Sequence, residues 1–500
     1  MNEKTIKEAL LKGERVTLEC KRAKAEVPKE LWKTYSAFAN TIGGLILLGV
    51  DEDLKEKDPS KRFQIIGVDN PQKILTDFWN TINSDKVSEN ILADKDVEVV
   101  DLDGKKIVCI HVPMADYRIK PIYLNGNVYK GTYRRNHEGD YHCTERQVRA
   151  MVRDSFEEGN DGIMMHHYNM DDIDLDSLHR YRNHFKVRND GHVWNEADDK
   201  AFLKNLGGYI VDRETGEEGL SMAGLMMFGK GLPIRERFDN FRMDYINFCN
   251  LIGDERYSDR LTYDGRWENN LYQFFTIVMP KMTFDLPRPF RMEGVVRVDD
   301  TPQHKAVREA FTNAIIHADL MADAGILRIE KHDDKLCFRN PGLLRLPIEQ
   351  IYEGGNSKAR NPRIQNMLRM IGFGENLGSG FPKIIAAWKE TDWGEPELKN
   401  KIELDEVELV LPISTPKPVN ATVNATVNAT VNATVKLNKT QKKILSVLHE
   451  NKYATYEEMA KLLDVERTTV WRNIDTMKKN GVIKRVGGDK NGYWEVLFDI

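Results

Sequence analysis

The chain has 500 residues, 30% of them charged and 41% hydrophobic, with a formal net charge of −5. That is too long for one ordinary domain, so about three or four are expected, and the acidic balance excludes a wholly basic nucleic-acid coat protein while leaving room for a local basic patch. No apolar run approaches the roughly 20 residues that span a bilayer, and five cysteines scattered without a CxxC pair fit a reducing cytoplasm and supply no zinc motif.

In chain order, the opening MNEKTIKEALLKGER is charged and amphipathic, without the apolar core of a signal peptide, so a cytoplasmic location and no membrane partner are expected. RVTLECKRA alternates as a strand, with Val16, Leu18 and Cys20 on one face and Thr17, Glu19 and Lys21 on the other. PKELWKTYSAFAN follows as a helix with Pro28 in its first turn. Gly43-Gly44 closes it, and LILLGVDED suits a buried strand whose carboxyl end carries Asp51. KIVCIHVP and PIYLNGNVYKGTYRR read as strands around an Asn-Gly turn. Residues 151–290 read as a helix-rich connecting region to which composition assigns no chemistry. Over 303–385 a helix, a strand pair and a Gly-rich loop before another helix predict an α+β sandwich. VNATVNATVNATVNATV, from Val419 to Val435, cannot keep one apolar face as helix or strand, and prolines precede it, so 413–436 reads as a linker. The remaining segment reads helix, helix, helix, hairpin. Its punctuation includes a Thr455–Glu458 capping box and apolar faces on Ile444, Leu445 and Leu448, on Met459, Leu462 and Leu463, and on Val470, Ile474 and Met477.

Three constellations could carry chemistry. The first is Glu19 with Lys21 on one strand, Glu14 five residues earlier, and Asp51 on the next strand. Carboxylates on neighbouring strands beside a lysine suit a divalent metal in phosphodiester cleavage; the alternative is a salt-bridged face in which Lys21 neutralises Glu19. LECKRA followed by YSAFANTIGGLILLGVDED resembles the Schlafen-type AlbA_2 domain over about the first 150 residues. That resemblance implies nucleic-acid binding, RNA included. Because some relatives are endoribonucleases, it also offers a catalytic set of Glu14, Glu19, Lys21 and Asp51.

The second is the stripe in REAFTNAIIHADL, where Glu309, Asn313 and His317 stand four residues apart and so share a helix face. An Asn oxygen suits Mg²⁺, and a Glu one turn earlier can orient or deprotonate a water. Gly378-Ser379-Gly380 before a helix could admit phosphates to backbone N–H groups. The loop GGNSKARNPRI could close as a lid. With RNPG at 339–342 between them, these boxes resemble the GHKL-type ATPase fold in its RecG-like C-terminal form, over roughly 290–412. The resemblance implies ATP and Mg²⁺ as cofactors. Asn313 would hold the metal, Glu309 would activate water, and Gly378 and Gly380 would contact phosphate. Gly342 would lie in the adenine box, with Asn340 where the usual aspartate stands, and His317 would extend the site. No G-x4-GK[ST] P-loop occurs, so no helicase motor is implied.

The third resembles a bacterial winged helix-turn-helix over 437–500. Residues 436–500 hold 13 Lys and Arg against 9 Asp and Glu, a local balance of +4. By that resemblance Arg467, Thr468, Thr469 and Arg472 open the recognition helix toward DNA, and Lys484 and Arg485 sit on the wing. A two-fold dimer would suit a reader of paired half-sites.

The expected fold class is α+β multidomain: an AlbA_2/Schlafen-like α/β head (1–150), a connecting region (151–290), a GHKL-like α/β sandwich (291–412), a linker (413–436) and a winged helix-turn-helix (437–500). The expected function is an ATP-binding, nucleic-acid-binding regulator in which nucleotide modulates binding. The alternative is a metal-dependent Schlafen-like endoribonuclease, acting in phage defence.

Overall fold

The computed structural model describes residues 3–12, 16–53, 56, 62–156, 159–251, 253–288, 292–293, 296–297, 300–323, 325–374, 380–413, 439–463, 465–479, 483–486 and 493–496. Glu14, Gly378 and the expected linker beyond residue 413 lie outside them. The chain forms two compact units, Met1–Lys417 and Pro418–Ile500. No described helix is long and apolar enough to cross a membrane.

The amino-terminal sheet has the order Leu18–Lys21, Gly44–Leu48, Lys105–Val112, Val97–Leu102, its first pair parallel and the others antiparallel. The crossover between the parallel strands is the helix Leu31–Asn40, which sinks Trp32, Tyr35 and Phe38 into a core shared with Ile46, Leu48, Val108 and Ile110. The motif AFANTIGG explains itself here. Asn40 is buried, its Nδ2 donating to the carbonyls of Ile122 and Tyr133 while its Oδ1 accepts from Ile122 N. Thr41 Oγ1 accepts from the backbone of Arg135. Gly43 turns the chain at φ +79°, and a Cβ there would stand 2.7 Å from Val112 O.

Arg135 is the electrostatic pin of this domain. Its side chain is 1% exposed, lies over the Phe38 ring, and meets Glu19 Oε2 at 2.8 Å and Asp140 Oδ1 at 2.9 Å. Its Nη2 also donates to Leu18 O. It thereby fastens the hairpin Tyr133–Asn136/Gly139–His142 to the first strand. The segment expected as strands around Asn125-Gly126 differs in part. Asn127 caps a helical turn, Val128–Gly131, by accepting from Lys130 N, and only isolated bridges form on the near side.

The second sheet of this unit is six-stranded, ordered Asp259–Leu261, Arg242–Asn247, Ile326–Lys331, Lys335–Pro341, Glu406–Pro412, Glu397–Lys401. Its first two strands come from the segment read as a helix-rich connector, and the strand Arg242–Asn247 lies parallel to Ile326–Lys331. The helix Pro302–Ile316, capped by Thr301, puts Val307, Phe311 and Ile315 into one core with Leu327, Ile329, Phe338 and Leu409 of the sheet. The connector adds a wholly buried helix, Met222–Phe228, whose Gly224 rides directly on Gly208.

The second unit has helices Lys439–Glu450, Tyr456–Leu463 and Arg467–Lys479 and the strand pair Ile483–Val486/Tyr493–Val496. Ile444, Leu445, Leu448, Met459, Val470, Ile474 and Met477 form its core. The capping box is present in both directions, Thr455 N to Glu458 and Glu458 N to Thr455. Leu462, expected on the apolar side, is instead 70% exposed.

Two consequences are measurable. A Cβ on Gly224 would lie 2.0 Å from Gly208 O, so Gly224→Ala should destabilise the first unit by about 1–3 kcal/mol, as overpacking does; an unchanged denaturant midpoint would show that the two segments separate freely. Glu19→Ala would remove one of the two carboxylates on the buried Arg135, leaving Asp140, and should cost about 1–3 kcal/mol, whereas Glu19→Gln, which can still accept from Arg135, should cost less. Equal midpoints for wild type and Glu19→Ala would remove the pin.

Candidate functional site

The polar stripe comes together as a wall of one pocket. Glu309, Asn313 and His317 line it from the helix Pro302–Ile316 and its C-cap, Phe338 and Asn340 from the sheet, and Gly380 from the start of the helix Gly380–Lys389. Asn356, Ser357 and Lys358 of the expected lid loop add to the rim, and Leu343, Leu344, Ile351, Leu398 and Leu409 supply apolar wall. The cavity measures about 120 Å³, within about 1000 Å³ of space that includes open solvent at the mouth.

Gly380 meets the stripe closely: a Cβ there would stand 2.2 Å from Glu309 Oε1 and 3.2 Å from Asn313 Nδ2. A side chain at 380 would have to displace the Glu309 carboxylate. Asn313 Nδ2 donates to Glu309 Oε1 at 3.3 Å, which leaves the Asn313 amide oxygen turned away from Glu309. Asn340 is buried on the inner face of the sheet, and its Nδ2 donates to no protein atom. Burial, with Arg360 and Arg345 nearby, pulls the His317 imidazole down to about 4, so it is neutral at physiological pH.

Gly342 lies elsewhere than the stripe. At φ +93° it lines the neighbouring cleft, and a Cβ would stand 2.2 Å from Arg360 Nη1. The missing side chain makes room for Arg360, which is buried and donates to His317 O at 2.8 Å, to Leu343 O and to Asp154 Oδ2 at 2.9 Å. Arg345 donates to Ala359 O and Asp154 O. Asn361 Nδ2 satisfies the carbonyls of Ile315 and Ala318 at the end of the stripe helix. Sequence reasoning missed Arg345, Arg360, Asn361 and Asp154. The RNP triplet at 360–362 was a usable signal, since an Arg-Asn pair before a helix-starting proline is unusually polar for a segment read only as a lid.

Of the amino-terminal acids, Glu19 and Asp51 are described, and each meets a cation. Glu19 is held between Arg135 and Lys21. Asp51 sits on Val50–Glu52, which pairs with Phe63–Ile65 in a separate two-stranded sheet, and its partner is Arg22 at 3.8 Å. The arrangement presents a neutralised carboxylate and a surface ion pair.

On the second unit, Thr468 and Arg472 open outward from the third helix and Lys484 from the strand pair. Arg467 is ion-paired to Glu457, Thr469 is half-buried, and Arg485 lies over the Trp494 ring at 4.8 Å. Trp471, 53% exposed beside Arg472, is a further feature of that surface.

Comparison with known proteins gives each part a likeness. Residues 14–144 match the family model "Schlafen, AlbA_2", 149–244 a domain of unknown function, 326–411 "Putative ATP-dependent DNA helicase recG C-terminal" and 437–484 "Winged helix-turn-helix DNA-binding". No curated protein matches the chain significantly. Among solved structures, a Corynebacterium diphtheriae protein is 15% identical over 98% of both chains, with a TM-score of 0.39. The N-terminal domain of a RecG-related protein from Nitrosomonas europaea is 24% identical over 29% of this chain and 94% of its own, with a TM-score of 0.23. The chain is thus similar, part by part, to an AlbA_2 domain, a RecG-type ATPase-like C-terminal domain and a winged-helix DNA-binding domain.

Proposed function

We propose that the chain is a nucleotide-responsive, nucleic-acid-binding regulator: ATP with Mg²⁺ occupies the pocket between the 302–316 helix and Gly380, and its presence changes affinity for nucleic acid. The observation that carries this reading is the convergence of Glu309 and Asn313, Asn340 and Gly380 on one pocket from three separate stretches of chain. The donor set fits the group. Asn313 and Glu309 offer hard oxygens of the kind Mg²⁺ takes, and the unpartnered Asn340 amide offers a donor to a base edge. Bound there, Mg²⁺ would neutralise phosphate charge and Glu309 would orient a water. The likeness of 326–411 to a RecG-type ATPase-like domain points the same way.

The electrostatics make a metal necessary to this reading. The Glu309 carboxylate stands at the amino end of the 380–389 helix, where a phosphate would otherwise profit from backbone N–H groups and helix dipole. Two anions share that place only with a cation between them. The route outward is physical too. Arg360 touches the stripe helix at His317 O and the 145–154 helix at Asp154, and Arg134 joins the amino-terminal hairpin to Asp405 at 3.0 Å. Nucleic acid is bound by the winged helix, as DNA, and by the AlbA_2-like domain. A ligand couples these parts only if it favours one arrangement over another.

Isothermal titration should show ATP–Mg²⁺ binding that weakens about tenfold or more in Asn313→Ala, a loss of about 1.4 kcal/mol; unchanged affinity would remove Asn313 from the site. Without Mg²⁺, wild type should bind ATP weakly and Glu309→Gln more tightly than wild type, because the repelling carboxylate is gone; the reverse order contradicts the electrostatic argument. For DNA, Arg472→Ala should weaken binding similarly across sequences and flatten the plot of log affinity against log salt by about 0.9; an unchanged slope places Arg472 away from phosphate.

A further inference from the structure

A second cleft lies in the first unit, between the AlbA_2-like domain and the six-stranded sheet, and it is separate from the nucleotide pocket although Arg345 and Arg360 stand in the wall between them. Its lining contains seven Lys and Arg side chains against five carboxylates, a local excess of positive charge in a chain that is acidic overall. Three of the cations keep donors without a partner, although Arg153 is ion-paired to Asp319 and Arg345 to Asp154. Arg345, 6% exposed in its side chain, and Arg153 each have a buried Nε–H that donates to nothing. Lys120 donates from Nζ to the backbone carbonyl of Asn40 at 3.2 Å, and among the described residues no carboxylate lies within ion-pair distance of it. A buried donor without an acceptor is destabilising, and such a group is a place where an ion or water can be held.

We propose that this cleft binds a phosphate-bearing ligand at a second site, in which Lys120 supplies a positive charge that no described carboxylate pairs, and Arg153 and Arg345, themselves ion-paired to Asp319 and Asp154, supply N–H donors that the protein leaves unused. The chemistry favours phosphate over a carboxylate: several guanidinium and ammonium donors converge from different directions, and phosphate presents more oxygens to them. Tyr117 lies under the Arg345 guanidinium, 4.5 Å from ring centre to Cζ, and orients that group in the wall. The site does not depend on the nucleotide pocket being occupied, since it uses none of Glu309, Asn313 or Gly380. Burial pulls the Lys120 amine down to about 8, against Asp116 and Asp154, which raise it; Arg134, Arg153, Arg345 and Arg360 share the cleft with it. A depressed lysine carries its charge only below that value, so phosphate affinity should fall as pH rises from 7 to 9.

The test is titration of the full chain with inorganic pyrophosphate, with a short oligonucleotide lacking terminal phosphates as a second arm. Pyrophosphate should bind wild type and Asn313→Ala alike, and at least tenfold more weakly to Lys120→Met. Ala150→Trp, which fills the cleft and keeps every charge, should lose binding to the same degree and covers the case in which the lysine variant misfolds. Lys120→Arg should keep binding but lose the fall between pH 7 and 9; the ratio to wild type cancels the ligand's own ionisation. If the oligonucleotide also binds with the same variant sensitivity, the phosphate comes from a nucleic-acid backbone; if only pyrophosphate binds, the ligand is a free polyphosphate. Equal pyrophosphate affinity in wild type, Lys120→Met and Ala150→Trp, or no binding at millimolar concentration, overturns the proposal. Loss of pyrophosphate binding in Asn313→Ala alone would assign it to the first pocket and equally overturn the second site.

Discussion

Arg360 is buried and charged, and the structure around it is organised by the need to satisfy that charge. A lone guanidinium in an apolar interior costs several kcal/mol, and its burial holds only with good geometry and a full set of acceptors. Here Asp154 supplies the countercharge from one side, while His317 O and Leu343 O accept from the other. Those acceptors belong to different pieces: the helix after the amino-terminal domain, the end of the stripe helix, and the loop after the strand Lys335–Pro341. Gly342 must lack a side chain for the arginine to reach them. One cation therefore fixes the spacing of three elements, and the stripe pocket and the neighbouring cleft both form against it.

The same physics accounts for the contrast between the acids of the chain. Glu19 is buried because Arg135 and Lys21 neutralise it, so its place is a joint between sheet and hairpin. Glu309 lines an open pocket and faces the start of a helix across a glycine. A carboxylate beside a positive helix end, with an amide one turn on, is poised to share a cation. One carboxylate consolidates the fold, and the other stands where a ligand can reach it.

Much of this was legible in the sequence where a residue's own geometry carries the signal. The spacing of Glu309, Asn313 and His317 put them on one face, and the AFANT-GG turn announced a helix closing into a buried strand. The Thr455–Glu458 box marked a helix start that forms as read. What was not legible depended on long-range pairing. The strand Arg242–Asn247 takes its place only beside Ile326–Lys331, about eighty positions on. The Arg360–Asp154 pair spans 206 positions, and no local pattern foretells which arginine will be buried. Gly342 was legible as a special position; the reason, room for an arginine, was not. Leu462 was misread because helical spacing gives a face its direction but not its neighbours.

The central claim is that a nucleotide and its cation belong between the 302–316 helix and Gly380. The most direct measurement is a crystal structure of the full chain with Mg²⁺ and a non-hydrolysable ATP analogue. Density for the phosphates is expected between Asn313 and Gly380, with the metal on the Asn313 and Glu309 side and the base toward Asn340. A pocket that stays empty at saturating analogue, or a nucleotide lodged at another place in the molecule, would contradict it.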